Sequence, residues 1–265
     1  MREARRHKRA VRSAFDRAAT SYDAAAAVQR EACTHLDAFM SAHPITREVC
    51  RVIDAGCGTG HALPRLIERF PAAQQVALDF SPAMLRIACS ANVIAVPLCG
   101  DIEHLPLADR SVDAIWSSLA VQWCTPPSVL AELARVLTPG GMAWIATLGP
   151  RTLHELRAAF ASIDDAEHVI RFSSASTWQQ QASAAGLAVV AAEAHEIAAL
   201  GPDLRGLLRD IKAIGAHTVG AGRRRKPLGR QAWLTLQAAY EPLRRADGQL
   251  PATYDLILIA VRKPA

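Results

Sequence analysis

The stretch Asp54-Ala55-Gly56-Cys57-Gly58-Thr59-Gly60 decides the fold. It follows the strand-like Arg51-Val52-Ile53 and precedes a helix-like run over 62–70. Glycine at positions 56, 58 and 60 lets a ligand lie directly against the backbone. A Cβ there would obstruct either the tight turn or the approach. A strand, a glycine loop and a helix, in that order, make a nucleotide-type binding site.

Working outward, strand-like runs recur at 51–55, 75–80, 93–98, 112–117 and 141–147, with helix-like runs at 62–70, 82–90 and 127–137 between them. This alternation predicts a parallel sheet covered by helices on both faces, with ligands at the carboxyl ends of the strands. Ser81-Pro82 reads as a helix start, with serine as cap and proline at the first helical position. Thr138-Pro139-Gly140-Gly141 reads as a turn before the next strand. Upstream, helical spacing spans 11–42 and stops at Pro44. Downstream, 150–185 reads as helix and 187–193 as strand, then 203–246 as helix and 256–261 as a last strand. The segment 198–252 is too long for an ordinary connection and predicts a helical insertion that lids the active site. The chain is thus read as one domain: helices 1–44, cofactor core 45–197, lid 198–252 and final strand 253–265.

The loop's ligand follows from its surroundings. Asp79 ends the second strand about 20 residues after the loop, where a carboxylate accepts from both ribose hydroxyls. A dinucleotide site has the spacing G-x-G-x-x-G around a pyrophosphate. Here the spacing is G-x-G-x-G with Asp54 in front of it, a carboxylate that would repel a pyrophosphate and suits a cationic amino end. The run Asp54 to Gly60 resembles the first motif of the class I S-adenosylmethionine-dependent methyltransferases. Asp79 to Leu85 resembles their second motif and Gly100 to Leu107 their third. The resemblance implies a Rossmann-like sheet. It also implies that Asp54, Gly56, Gly58, Gly60 and Leu119 line the cofactor, Asp79 holds the ribose and Met84 packs on adenine. Asp101 would accept from the adenine amino group, with the Ile102 backbone beside it.

A narrower resemblance runs through Phe15 to Asp23, Leu119 to Cys124, His168 to Phe172, Ile211 to Ala216 and Leu250 to Tyr254. These segments are similar to the malonyl-[acyl-carrier protein] O-methyltransferases of biotin biosynthesis. Ile170, where a polar residue is expected, and the very basic Arg223 to Lys226 depart from that pattern. The resemblance implies a free malonyl carboxylate as methyl acceptor and an acidic carrier protein as partner. Tyr22, Gln122, Arg171, Lys212 and Tyr254 are the candidates to position the acceptor. Arg223, Arg224, Arg225 and Lys226 are the candidates to dock the carrier. A carboxylate is already ionised at neutral pH, so no general base and no metal are expected. His104 and His168 read as structural. A small-molecule methyltransferase and a non-catalytic cofactor-binding regulator are the other readings the fold permits.

Composition bounds the rest. A chain of 265 residues can bury its core without disulfides or metals. Six scattered cysteines without a Cys-x-x-Cys pair fit buried, reduced thiols in a cytoplasmic protein. A net charge of +5 admits an acidic partner but is small for a nucleic-acid binder. No apolar run approaches the ~20 residues of a membrane span. The basic start, Arg2 to Arg12, reads as a frayed solvated helix in preference to a presequence, and the protein is expected to be monomeric.

Overall fold

The computed structural model describes residues 2–91, 94–213 and 228–265, with side chains from Lys8 onward. Strands β1 (Arg51–Ala55), β2 (Gln74–Asp79), β3 (Val96–Cys99), β4 (Val112–Ser118), β5 (Leu137–Leu148), β6 (Ala188–Gly201) and β7 (Leu250–Arg262) form one seven-stranded sheet. Their order is β3-β2-β1-β4-β5-β7-β6. The first five strands are parallel, whereas β7 runs antiparallel to both β5 and β6, so the predicted parallel sheet is in fact mixed.

Alternation along the strands sorts two cores. Ala114, Trp116, Trp144, Leu256 and Leu258 face one side, with α3 (Ala27–Ala42) and α7 (His154–Ala161). Ile115, Ile145, Ile257 and Ile259 face the other, with α6 (Pro126–Val136) and α8 (Ala175–Ala184). A smaller cluster joins Leu63 of α4 (Leu63–Arg69) to Leu85 of α5 (Pro82–Ala91) over β2. Helices α9 (Leu204–Ala213) and α10 (Arg230–Tyr240) lie between β6 and β7 in sequence.

Several boundaries differ from the sequence reading for local reasons. The helical run 11–42 is divided into α1 (Arg2–Ala18), α2 (Tyr22–Ala25) and α3. The run 150–185 is two helices separated by extended backbone. Thr138 to Gly141 does not precede β5 but lies inside it as a bulge. Leu137 pairs with Val112 and Met142 with Ala114, and Gly140 takes φ 76°. β6 continues to Gly201, because its pairing with β7 extends to Leu250. Among the side chains described in the first helix, Arg9 and Arg12 are solvated as expected, whereas Val11 and Ala14 are buried and Lys8 is ion-paired. Not all cysteines are buried either: Cys50 and Cys99 are exposed, the latter because β3 is an edge strand.

Candidate active site

The glycine loop leaves the carboxyl end of β1 as predicted. Gly56, Gly58 and Gly60 all have positive φ, at 83°, 53° and 88°. Their reasons differ. A Cβ on Gly56 would meet the Ala120 Cβ at 2.2 Å, so that glycine lets the chain after β4 cross the loop. A Cβ on Gly58 would project into open space, the cradle a ligand needs. Gly58 N donates to Asp79 Oδ2 at 3.0 Å and Ser81 N donates to Asp79 Oδ1 at 2.8 Å. Each carboxylate oxygen keeps a lone pair for a ribose hydroxyl. Burial raises the Asp79 pKa to about 6 and, with Asp79 nearby, the Asp54 pKa to about 8. Asp54 Oδ2 is enclosed without a hydrogen-bond partner. A cationic ligand group would supply that partner and return the carboxylate to its charged form.

Two cavities share this loop. One is lined by Asp79, Met84, Asp101, Ile102 and Leu119, the predicted nucleoside residues. The other is lined by Asp54, Gly56, Gly58 and Gly60, the predicted methionyl end. Leu119 holds φ 48°, unusual for a branched side chain, beside the cofactor loop. Gln122 Nε2 donates to the Leu119 carbonyl oxygen at 2.6 Å and fixes that kink.

The N-terminal helices close over both cavities through bonds to each cofactor motif. Lys8 pairs with Asp101 and Glu103. Ser81 Oγ donates to Asp16 Oδ1 at 2.6 Å. Thr59 Oγ1 donates to Asp23 Oδ1 at 2.6 Å. Sequence reading missed these partners, because a lone Lys8 or Asp23 carries no spacing signal. Asp101, Glu103 and Cys124 converge closely enough to hold a metal ion, and the Lys8 ammonium pairs with both carboxylates there.

A third cavity adjoins the first two at Tyr22, which borders all three. Its walls come from α1, α2, α3, the turn Val121–Trp123, the segment 148–172, α9 and β7. Most are apolar: Leu153, Leu156, Phe160, Val169, Phe172 and Ile211 among them. Phe15 stacks edge-on to Phe80 and Trp123, with ring centres at 6.2 and 5.8 Å, and so joins cofactor and acceptor walls. Four of the five acceptor candidates line this cavity: Tyr22, Gln122, Lys212 and Tyr254. Burial raises the Tyr22 and Tyr254 pKa values well above normal, so both stay hydroxyl donors. Arg171 is not brought in. Its side chain is 88% exposed and paired with Glu167, while its neighbours Ile170 and Phe172 line the cavity. His168 stacks on Phe160 at 3.7 Å and bonds Asp164 at 2.7 Å, a satisfied histidine; His104 is exposed. The candidate docking residues Arg223, Arg224, Arg225 and Lys226 lie outside the described residues. No helix among the described residues is long and apolar enough to cross a membrane.

Comparison with known proteins agrees with this geometry. The family described as "Methyltransferase domain" matches residues 53–145, from β1 to β5. The malonyl-[acyl-carrier protein] O-methyltransferase of Dechloromonas aromatica (strain RCB) is 46% identical over 97% of this chain and 95% of its own length. The protein of that name from Laribacter hongkongensis (strain HLHK9) is 43% identical over 97% and 90%. Among solved structures, the YcgJ protein from Bacillus subtilis shares the fold with a TM-score of 0.60 at 19% identity, over 88% of this chain and 99% of that one. With a glycine loop at the carboxyl end of β1 and relatives this similar along the whole chain, the protein belongs to the malonyl-[acyl-carrier protein] O-methyltransferase family of S-adenosylmethionine-dependent enzymes.

Proposed function

We propose that this chain transfers the methyl group of S-adenosylmethionine to the free carboxylate of a malonyl thioester on an acyl-carrier protein, an early step of biotin synthesis. The observation that carries this reading is the junction at Tyr22. There a mostly apolar cavity meets the cofactor cleft. The names of the relatives supply the acceptor. Asp79 would hold the ribose, Met84 and Ile102 the adenine, and Asp54 the ammonium of the methionyl end. Asp101 keeps acceptor capacity for the adenine amino group beside its bond to Lys8.

In the transfer, a carboxylate oxygen attacks the methyl carbon. The new carbon–oxygen bond forms as the carbon–sulfur bond breaks, and its electron pair stays on sulfur. The ester and S-adenosylhomocysteine result, with no proton to move. The protein's task is alignment and exclusion of water, which supplies on the order of 7–11 kcal/mol. The phenols of Tyr22 and Tyr254 and the ammonium of Lys212 orient the carboxylate, and Gln122 acts through the Leu119 backbone. The insertion carrying α9 closes the acceptor cavity as a lid. The run Arg223 to Lys226 steers an acidic carrier, and the unpaired cysteines fit a reducing cytoplasm. Incubation with S-adenosylmethionine and malonyl carrier protein, followed by mass measurement, tests the reading. A gain of one methyl on the malonyl group is expected, and no gain while cofactor binds would refute it.

A further inference from the structure

We propose that Gln29 and Trp116 complete the subsite for the amino-acid end of the cofactor: Gln29 accepts from its ammonium together with Asp54, and the Trp116 indole N–H donates to its carboxylate. The inference rests on the methyl-donor reading above. It begins with strand register. Asp54 of β1 and Trp116 of β4 are direct partners in a parallel pair, so their side chains leave the same face of the sheet. Helix α3 covers that face and brings Gln29. All three residues line the one cavity beside the glycine loop.

Each carries an enclosed polar atom without a hydrogen-bond partner: Asp54 Oδ2, Gln29 Oε1 and Trp116 Nε1. Buried polar groups are normally bonded, and an orphan persists where a ligand supplies the missing bond. This cavity holds two lone acceptors and one lone donor. An ammonium offers three N–H donors and a carboxylate offers acceptors, so an α-amino acid in its zwitterionic form satisfies all three. A phosphate would face two repelling oxygens. A simple amine would leave the indole orphaned. One other cation borders the cavity. Arg30 sits on the exposed rim and donates to the Asp23 carbonyl oxygen at 2.7 Å, which makes it the competing partner for the carboxylate.

Calorimetric titration with four ligands separates these roles: S-adenosylhomocysteine, its deaminated form, its decarboxylated form and methylthioadenosine, which has neither charge. Trp116→Phe should weaken S-adenosylhomocysteine and the deaminated form about tenfold or more, and leave the other two unaltered. Gln29→Leu should weaken S-adenosylhomocysteine and the decarboxylated form, and spare the deaminated one. Equal loss for methylthioadenosine would make both residues plain packing and overturn the proposal. A carboxylate-dependent loss in Arg30→Met with none in Trp116→Phe would move the carboxylate to the rim and overturn it too. Should Trp116→Phe not fold, the indole N–H resonance of the native protein decides. It should shift with the two carboxylate-bearing ligands and not with the other two; a shift indifferent to the carboxylate would sink the idea. Failure of all four ligands to bind would instead refute the methyl-donor reading itself.

Discussion

The cofactor cleft takes its floor from the ends of β1, β2, β3 and β4 and the loops that follow them, under a roof of α1, α2 and α3, whereas the acceptor cavity draws on segments scattered from α1 to β7. The first is organised by polar backbone contacts already in place around Asp79 and the loop. The second is mostly apolar surface with a few hydroxyl and ammonium groups at its edge. The floor of the first follows from local chain geometry, whereas its roof and the whole of the second follow from tertiary packing. They should therefore respond differently to substitution.

The largest contrast is expected within the glycine loop. Gly56→Ala places a methyl 2.2 Å from the Ala120 Cβ at φ 83°, and should cost about 2–4 kcal/mol of stability. Gly58→Ala meets no protein atom and should cost about 1–2 kcal/mol while still lowering cofactor affinity at least about tenfold. Thermal unfolding beside titration with S-adenosylhomocysteine distinguishes them, and equal loss of stability would show that Gly58 is structural only. Next, Asp79→Ala should weaken cofactor binding by about 1.5–3 kcal/mol without altering the acceptor's Michaelis constant at saturating cofactor. If affinity were retained, the ribose assignment would be wrong. On the other side of the comparison, Tyr254→Phe and Lys212→Met should raise the Michaelis constant for the malonyl substrate by a factor of about five, near 1 kcal/mol, with cofactor affinity intact. A fall in cofactor affinity would merge the two sites.

A separate test of the cofactor side is a pH slope. Asp54 titrates at about 8 in the folded chain against 3.8 for a free carboxylate, so between those values the folded state binds more protons than the unfolded. Its contribution is full below the lower value and declines as pH rises toward the upper one. Denaturation of ligand-free protein at pH about 5 and about 8 should show a fall that Asp54→Asn reduces, with the remainder owed to Asp79. Cofactor affinity should rise over the same interval, because the ammonium requires the ionised carboxylate.

What the sequence disclosed follows this division. Asp54 to Gly60 and Asp79 to Pro82 were legible because strand, turn and cap are decided within a few residues. Met84 N does donate to Ser81 Oγ at 3.2 Å, as a helix cap should. The same hydroxyl's bond to Asp16 spans 65 positions and left no trace in spacing. Arg171 shows the limit on the acceptor side. A cation one residue from Ile170 and Phe172 looks well placed, but its side chain turns to solvent and Glu167 while theirs line the cavity. Gln29 and Trp116 read as ordinary helix and core residues until strand register and α3 set them beside Asp54.

The bonds from Lys8, Asp16 and Asp23 have a kinetic consequence. The segment that roofs the nucleoside also walls the acceptor cavity through Phe15 and Tyr22. The spent nucleoside must part those bonds to leave, and parting them dismantles the acceptor wall. An ordered turnover is then expected, with nucleoside first in and last out and S-adenosylhomocysteine competing in product inhibition with S-adenosylmethionine but not with the malonyl substrate, because one stretch of chain serves as door to one guest and wall to the other.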